Sequence, residues 1–315
     1  MALPLINRVL PPEMLEKIFS HLSHEDLNTA MLVCKTWNRA GEAPSLWSWI
    51  TIKNVAQLPL KRLQACQEVA VGDPWLRIPH PKKPEYGEIA SISWNRLLQE
   101  ILQHPGLKKL TLYDPHTYNT WDTFSVLTGL DLGLFTQVLA KMGEIDIHWL
   151  GRSTLSRAAV GSVMNSLADS ILDGPSNLKR LVFRDVNYNG NDVDSVRFAT
   201  ALNKIETLEV KLSIDIVNLL LKAMMEEDSS VSSLSLLGSP DLSQLEPQHL
   251  FGVFDKLKEF GAYASAYASP QPHLVKTLFE KVAAGTNLKT LHYAVSHVNR
   301  HFGNSQKVRS FLAHF

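Results

Sequence analysis

LPPEMLEKIFSHLSHEDLNTAMLVCKTWNRAGEAPSLWSWI, residues 10–50, is the stretch whose reading decides the fold. Pro11 and Pro12 suit a helix's first turn, where the missing N–H is not needed. Glu13 follows as a carboxylate near the positive helix end. Met14, Leu15, Ile18, Phe19 and Leu22 recur at i, i+1, i+4, i+5 and i+8, a wide helical stripe. Ser23 and Asp26 have capping-box spacing, with Asp where the box prefers Glu or Gln. Leu27, Ala30, Met31, Cys34 and Trp37 then continue one helical pattern, which Gly41 and Pro44 stop; Leu46 and Trp47 resume it briefly. About forty residues are too few to close a core alone, so part of this apolar surface is expected to meet a partner.

The segment resembles the F-box family. The matching residues are Leu10, Pro11 and Glu13; Ile18, Phe19 and Leu22; Asp26 and Leu27; Val33, Cys34, Lys35 and Trp37; and Leu46 with Trp47, in the family's order and spacing. In that family the module docks onto the Skp-type adaptor of a cullin–RING ubiquitin ligase. The resemblance implies that Leu10, Pro11, Leu15, Ile18, Leu22, Val33, Cys34 and Trp37 form or support the adaptor surface. The Leu15, Ile18 and Leu22 stripe is expected to stay exposed.

Beyond it the chain repeats. The pattern apolar-x-x-apolar-x-apolar recurs at Leu107/Leu110/Leu112, Met142/Ile145/Ile147, Leu178/Leu181/Phe183, Ile205/Leu208/Val210, Val231/Leu234/Leu236, Leu257/Phe260/Ala262 and Leu288/Leu291/Tyr293. Weaker instances precede them at Trp47/Ile50/Ile52 and Cys66/Val69/Val71. Helical spacing between strands runs from Trp94 to Gln103, Leu134 to Met142, Val160 to Leu172, Asp215 to Glu227 and His273 to Ala283; Gly174-Pro175 and Gly285 stand where helices end. This resembles a leucine-rich-repeat array. The Asn or Cys expected three residues past the last strand anchor is missing: Pro115, Leu150, Val186, Ser213, Ser239, Ser265 and Ser296 stand there. The expected fold is α/β: a three-helix F-box over residues 1–50, then an irregular solenoid over 51–315, with parallel strands on the concave face and helices outside.

Composition narrows the function. Matched charges, net +0, disfavour generic nucleic-acid binding. Two cysteines, Cys34 and Cys66, each in an apolar pattern, point to reduced thiols in the cytoplasm or nucleus. No apolar run is long enough for a membrane span, and residues 1–12 lack a signal-peptide pattern. No G-x-S-x-G elbow, phosphate-binding loop or dinucleotide fingerprint is present. His297 and His301 have ligand spacing but no Cys or carboxylate partner, so neither metal nor cofactor is expected. The proline-rich stretch Gly72 to Glu88, with Trp75 and Tyr86, reads as an inserted loop.

Because strand residues alternate faces, positions flanking the inner anchors should line the concave surface. Tyr113, Asp146, His148, Arg180, Arg184, Glu209, Lys211 and Tyr263 are the candidates for binding a protein target, with Arg180 and Arg184 placed to grip a carboxylate or phosphate. The expectation is a non-catalytic substrate receptor of a Skp–cullin–F-box ligase, the target itself unspecified. The alternative is a scaffold that binds the adaptor and delivers nothing for degradation.

Overall fold

The computed structural model describes residues 10–52, 60–63, 65–71, 95–113, 131–148, 154–184, 190–226, 228–237, 244–264, 276–277, 280, 287–298 and 306–314. The 72–88 stretch and His301 lie outside them.

Helix α1, Pro12–Phe19, buries Leu15 and Phe19. Helix α2, His24–Met31, buries Leu27, Ala30 and Met31. Its cap is Ser23, whose Oγ accepts the Asp26 N–H at 3.1 Å. The Asp26 carboxylate is a methylene shorter than Glu; it accepts from the Ser23 hydroxyl at 2.7 Å. Helix α3 is Lys35–Gly41. The pattern from Leu27 to Trp37 is therefore not one helix. The N–H groups of Leu32 and Val33 bond back only three residues, to Thr29 and Ala30, and Cys34 is extended. The break takes three residues, about one helical turn, so the apolar spacing passes through it unchanged. Asn38 Nδ2 donates across the corner to the Met31 carbonyl at 3.3 Å. Gly41 permits the α2–α3 approach, since a Cβ there would lie 2.3 Å from Met31 Cγ. A 3-10 turn, Pro44–Trp47, then seats Trp47, whose Nε1–H donates to the Gly41 carbonyl at 2.7 Å.

Among the described residues one sheet of ten strands follows, ordered in space as in sequence. Strands β1 Trp49–Ile52, β2 Glu68–Val71, β3 Lys109–Tyr113, β4 Glu144–His148, β5 Arg180–Arg184, β6 Thr207–Val210, β7 Ser233–Leu236, β8 Glu259–Ala264 and β9 Thr290–Val298 are parallel. Strand β10, Gln306–His314, turns back antiparallel against β9, where no repeat signal exists. The middle anchors Ile50, Val69, Leu110, Ile145, Leu181, Leu208, Leu234, Phe260 and Leu291 are register partners across the nine parallel strands, and all are buried. The period of the sequence is thus the step of the stack.

Helices connect the strands: the short α4 Leu60–Leu63, α5 (95–103), α6 Leu132–Lys141, α7 Thr154–Asp173, α8 Ser195–Leu202, α9 Ile214–Glu226 and α10 Pro247–Gly252. From α6 to α10 each packs on the next. Helices α8 and α10 escape the sequence expectation, although Asp194 caps α8 by accepting the Arg197 N–H at 3.0 Å. Only residues 276, 277 and 280 of the expected 273–283 helix are described, and they are helical.

The missing asparagines are replaced from another place. Of the seven positions past the strand anchors, Ser213 directly precedes α9 and Ser296 lies within β9; the other five are outside the described residues. Asparagines on the helices make the links between repeats. Asn95 Oδ1 accepts the Asp131 N–H at 2.9 Å, Asn165 Oδ1 that of Asp194 at 3.0 Å, and Asn218 Oδ1 that of Glu246 at 3.1 Å. Each partner is the N-cap residue of a later helix. Lysines close the opposite ends: Lys141 Nζ donates to the carbonyls of Ile101, Leu102 and His104, and Lys256 Nζ to those of Met224 and Met225. A cation is favourable there because terminal carbonyls carry partial negative charge.

Candidate functional sites

The N-terminal helices leave apolar side chains uncovered. Ile18 is 46% exposed, and Met14 and Leu22 are exposed with it, so i, i+4 and i+8 form one outward stripe. Leu32, at 85%, and Val33 stand out from the corner between α2 and α3. Leu15 does not belong to this stripe: it is 1% exposed and sits in the core with Phe19. The i+1 neighbour on a helix is rotated about 100° away, so Met14 and Leu15 cannot share a face. Met14 and Leu32 are exposed beside the expected residues, and Met14 was legible at i−4 from Ile18. Of the other expected surface residues, Pro11 is exposed, Leu10 and Cys34 are half-buried, and Trp37 is half-buried with its ring edge-on to Phe19 at 5.4 Å.

Behind this face an aromatic cluster joins the helices to the sheet. His24 stacks on Trp47 at 5.0 Å and lies 4.3 Å from Trp49, while the Arg62 guanidinium sits 3.8 Å over Trp47. Burial lowers the His24 pKa, its bond with the Leu46 backbone opposes this, and Arg62 lowers it further. The Ser48 carbonyl accepts the N–H groups of both Gln67 and Glu68, at 2.7 and 3.0 Å. Beside it the Cys66 thiol donates to the Glu68 carbonyl at 2.7 Å, and burial pushes its pKa up to about 11. A thiol so held is a packing residue, not a nucleophile.

On the sheet, the face opposite the buried anchors is polar. One register row reads Glu68, Lys109, Glu144, Arg180, Thr207, Ser233, Glu259 and Thr290. Its charges alternate and pair: Lys109 Nζ lies 3.4 Å from Glu68, and Arg180 3.6 Å from Glu144. The next row carries Asp146, Val182 and Glu209. Glu209 takes one guanidinium on each oxygen, Arg180 at 2.5 Å and Arg184 at 2.9 Å. The two arginines expected to grip an incoming anion therefore already share an internal one. Asp146 is also engaged, 2.7 Å from His148 Nε2. Val182, expected on this surface, is 0% exposed, and Thr111 is buried too; Val182 sits between the longer polar Asp146 and Glu209 in its row. Lys211 is half-buried just past β6. For Tyr113 and Tyr263 only the backbone is described, in β3 and β8. A depression of about 570 Å³ opens beside the arginine pair, floored by Thr207, Ser233 and Ser235 and bounded by Glu259 and His292.

Residues 8–53 match the sequence profile of the F-box-like family. They form an F-box-like domain. F-box domains bind Skp-type adaptors, and among the described residues of this F-box-like domain the Met14, Ile18 and Leu22 stripe, with Leu32 and Val33, is the exposed apolar surface. Two curated relatives align over most of the chain. Lysine-specific demethylase 2B of Mus musculus is 26% identical over 250 residues, 77% of this chain and 16% of that protein. Lysine-specific demethylase 2A of Xenopus tropicalis is 25% identical over 238 residues, 75% and 18% respectively. The chain thus spans less than a fifth of each relative's length, so the likeness reaches past the F-box-like domain into the repeats but touches only a small part of either protein. No helix among the described residues is long and apolar enough to cross a membrane.

Proposed function

We propose that this chain is the substrate-recognition subunit of a Skp–cullin–F-box ubiquitin ligase, acting in the cytoplasm or nucleus. The observation that carries this reading is the exposed apolar stripe on the F-box-like domain, set on a helix whose other face is locked into the core. Exposed aliphatic residues in a row are costly in water and mark an interaction face. The adaptor would cover Met14, Ile18, Leu22, Leu32 and Val33, and the cullin would be reached through it. The polar sheet face would hold a target protein. Its contribution to ubiquitin transfer would be proximity: a target lysine held near a charged conjugating enzyme meets it as an intramolecular partner. On this reading the chain itself makes and breaks no bonds.

Co-purification with a Skp-type adaptor tests it. Ile18→Glu with Met14→Glu should abolish adaptor capture. Met225→Glu, an exposed apolar residue at the end of α9, should leave it intact. Unchanged capture by the double variant would remove the docking reading. A captured partner whose abundance is indifferent to proteasome inhibition would favour the scaffold alternative over the degradative one.

A further inference from the structure

The depression on the sheet face has an asymmetry that its total charge conceals. Arg180, Arg184, Glu209 and Glu259 sum to zero, but they are not spread evenly. At the β5–β6 end, both oxygens of Glu209 are occupied by the two guanidiniums. Arg184 presents its guanidinium edge: the side chain is 43% exposed and bonds Glu209 through one outer nitrogen, while its Nε–H is buried without a hydrogen-bond partner and out of a ligand's reach. That end offers N–H donors and no open acceptor carboxylate. At the β8 end the reverse holds. Glu259 is exposed, accepts only from the Ser233 hydroxyl at 3.1 Å on one oxygen, and has no cation paired with it among the described residues. Between the two ends lie hydroxyls, which accept either partner. The internal Arg–Glu–Arg bridge fixes the donor end in place, so little side-chain entropy is lost when a ligand arrives.

We propose that this depression reads an extended peptide segment bearing one acidic and one basic side chain on the same side, the acid at Arg184 and the base at Glu259. The inference rests on the receptor reading and names the class of target segment. The Arg184 guanidinium sits on Glu209, which is two strand steps across and two residues along the strand from Glu259, roughly 12 Å in all. An extended segment covers that distance in about four residues, and residues i and i+4 face the same way. The motif is therefore an acid and a base about four residues apart, in either order.

An array of short peptides in a Ser/Gly/Ala background, each with one Glu and one Lys at stepped separation and in both orders, tests this on the full chain bound to its adaptor. Binding should peak at a separation of about four residues and fall about tenfold when the two are adjacent. Arg184→Ala should erase the dependence on Glu alone, and Glu259→Gln the dependence on Lys alone. Binding independent of separation, no binding to any peptide, or variants that leave both preferences unchanged would each overturn the proposal. Adaptor capture is scored in the same preparation. If it is kept while peptide preference is absent, the peptide class alone is wrong. If it is lost while the preference remains, the receptor reading fails and the depression's selectivity stands.

Discussion

Asn165 holds Asp194 by its backbone: Asn165 Oδ1 accepts the Asp194 N–H at 3.0 Å, and Nδ2 donates to the nearby Asp192 carbonyl at the same distance. A side chain of one repeat thus satisfies the orphan N–H at the start of the next repeat's helix, the group that a capping box would satisfy locally. Asn165→Ala removes both bonds and should destabilise the chain by about 1–2 kcal/mol in chemical denaturation. Asn165→Asp keeps the acceptor and should cost less. Equal costs would mean that the acceptor bond contributes nothing.

These links show where the sequence was legible and where it was not. Burial of one strand face demands a strict apolar period, so the nine stacked anchors could be read directly from spacing. The asparagine links obey no such period, because a helix side chain can reach a neighbour from several positions. The corner at Leu32–Cys34 was hidden because its three residues keep helical phase. Strand β10 was invisible because it repeats nothing. On the sheet face, alternation identified the polar positions but not their mutual pairing: Glu209 between Arg180 and Arg184 is a relation across strands, which only the register reveals.

Gly41 can be tested by a single methyl. With a Cβ placed 2.3 Å from Met31 Cγ, Gly41→Ala should destabilise the F-box-like domain by about 1–3 kcal/mol, read by tryptophan fluorescence during denaturation. Met31→Ala is itself costly, but the double variant should be less destabilised than the sum of the two. Strict additivity would show that the two residues do not press on each other.

Glu209 is half-buried between two cations, and solvent reduces the worth of that arrangement below that of a dry one. Glu209→Ala leaves the guanidiniums facing each other and should cost about 2 kcal/mol. The loss should shrink in high salt, which screens the exposed repulsion. A salt-independent loss would assign the effect to packing over Val182 instead.

His24 should make stability pH-dependent with a definite sign. Its ordinary value is 6.5 and burial lowers it in the folded chain. Below 6.5 the unfolded chain binds a proton that the native chain resists, so stability is full above that pH and declines as pH falls towards the native value. His24→Gln should flatten this part of the profile, measured as the difference in denaturation midpoint between pH 7 and pH 5. An identical slope in wild type and variant would show that other groups carry it.

The Ser48 carbonyl, accepting from Gln67 and Glu68, makes the first strand a lid on the open end of a stack. Repeat arrays need such a terminal unit, because an end repeat otherwise presents its apolar edge to water. The F-box-like module and the repeats are therefore not two pieces that evolution or an experimenter could shuffle freely. The F-box-like segment, with its outward apolar stripe, also seals the array behind it. A lesion that loosens it would strip protection from the repeat half as well.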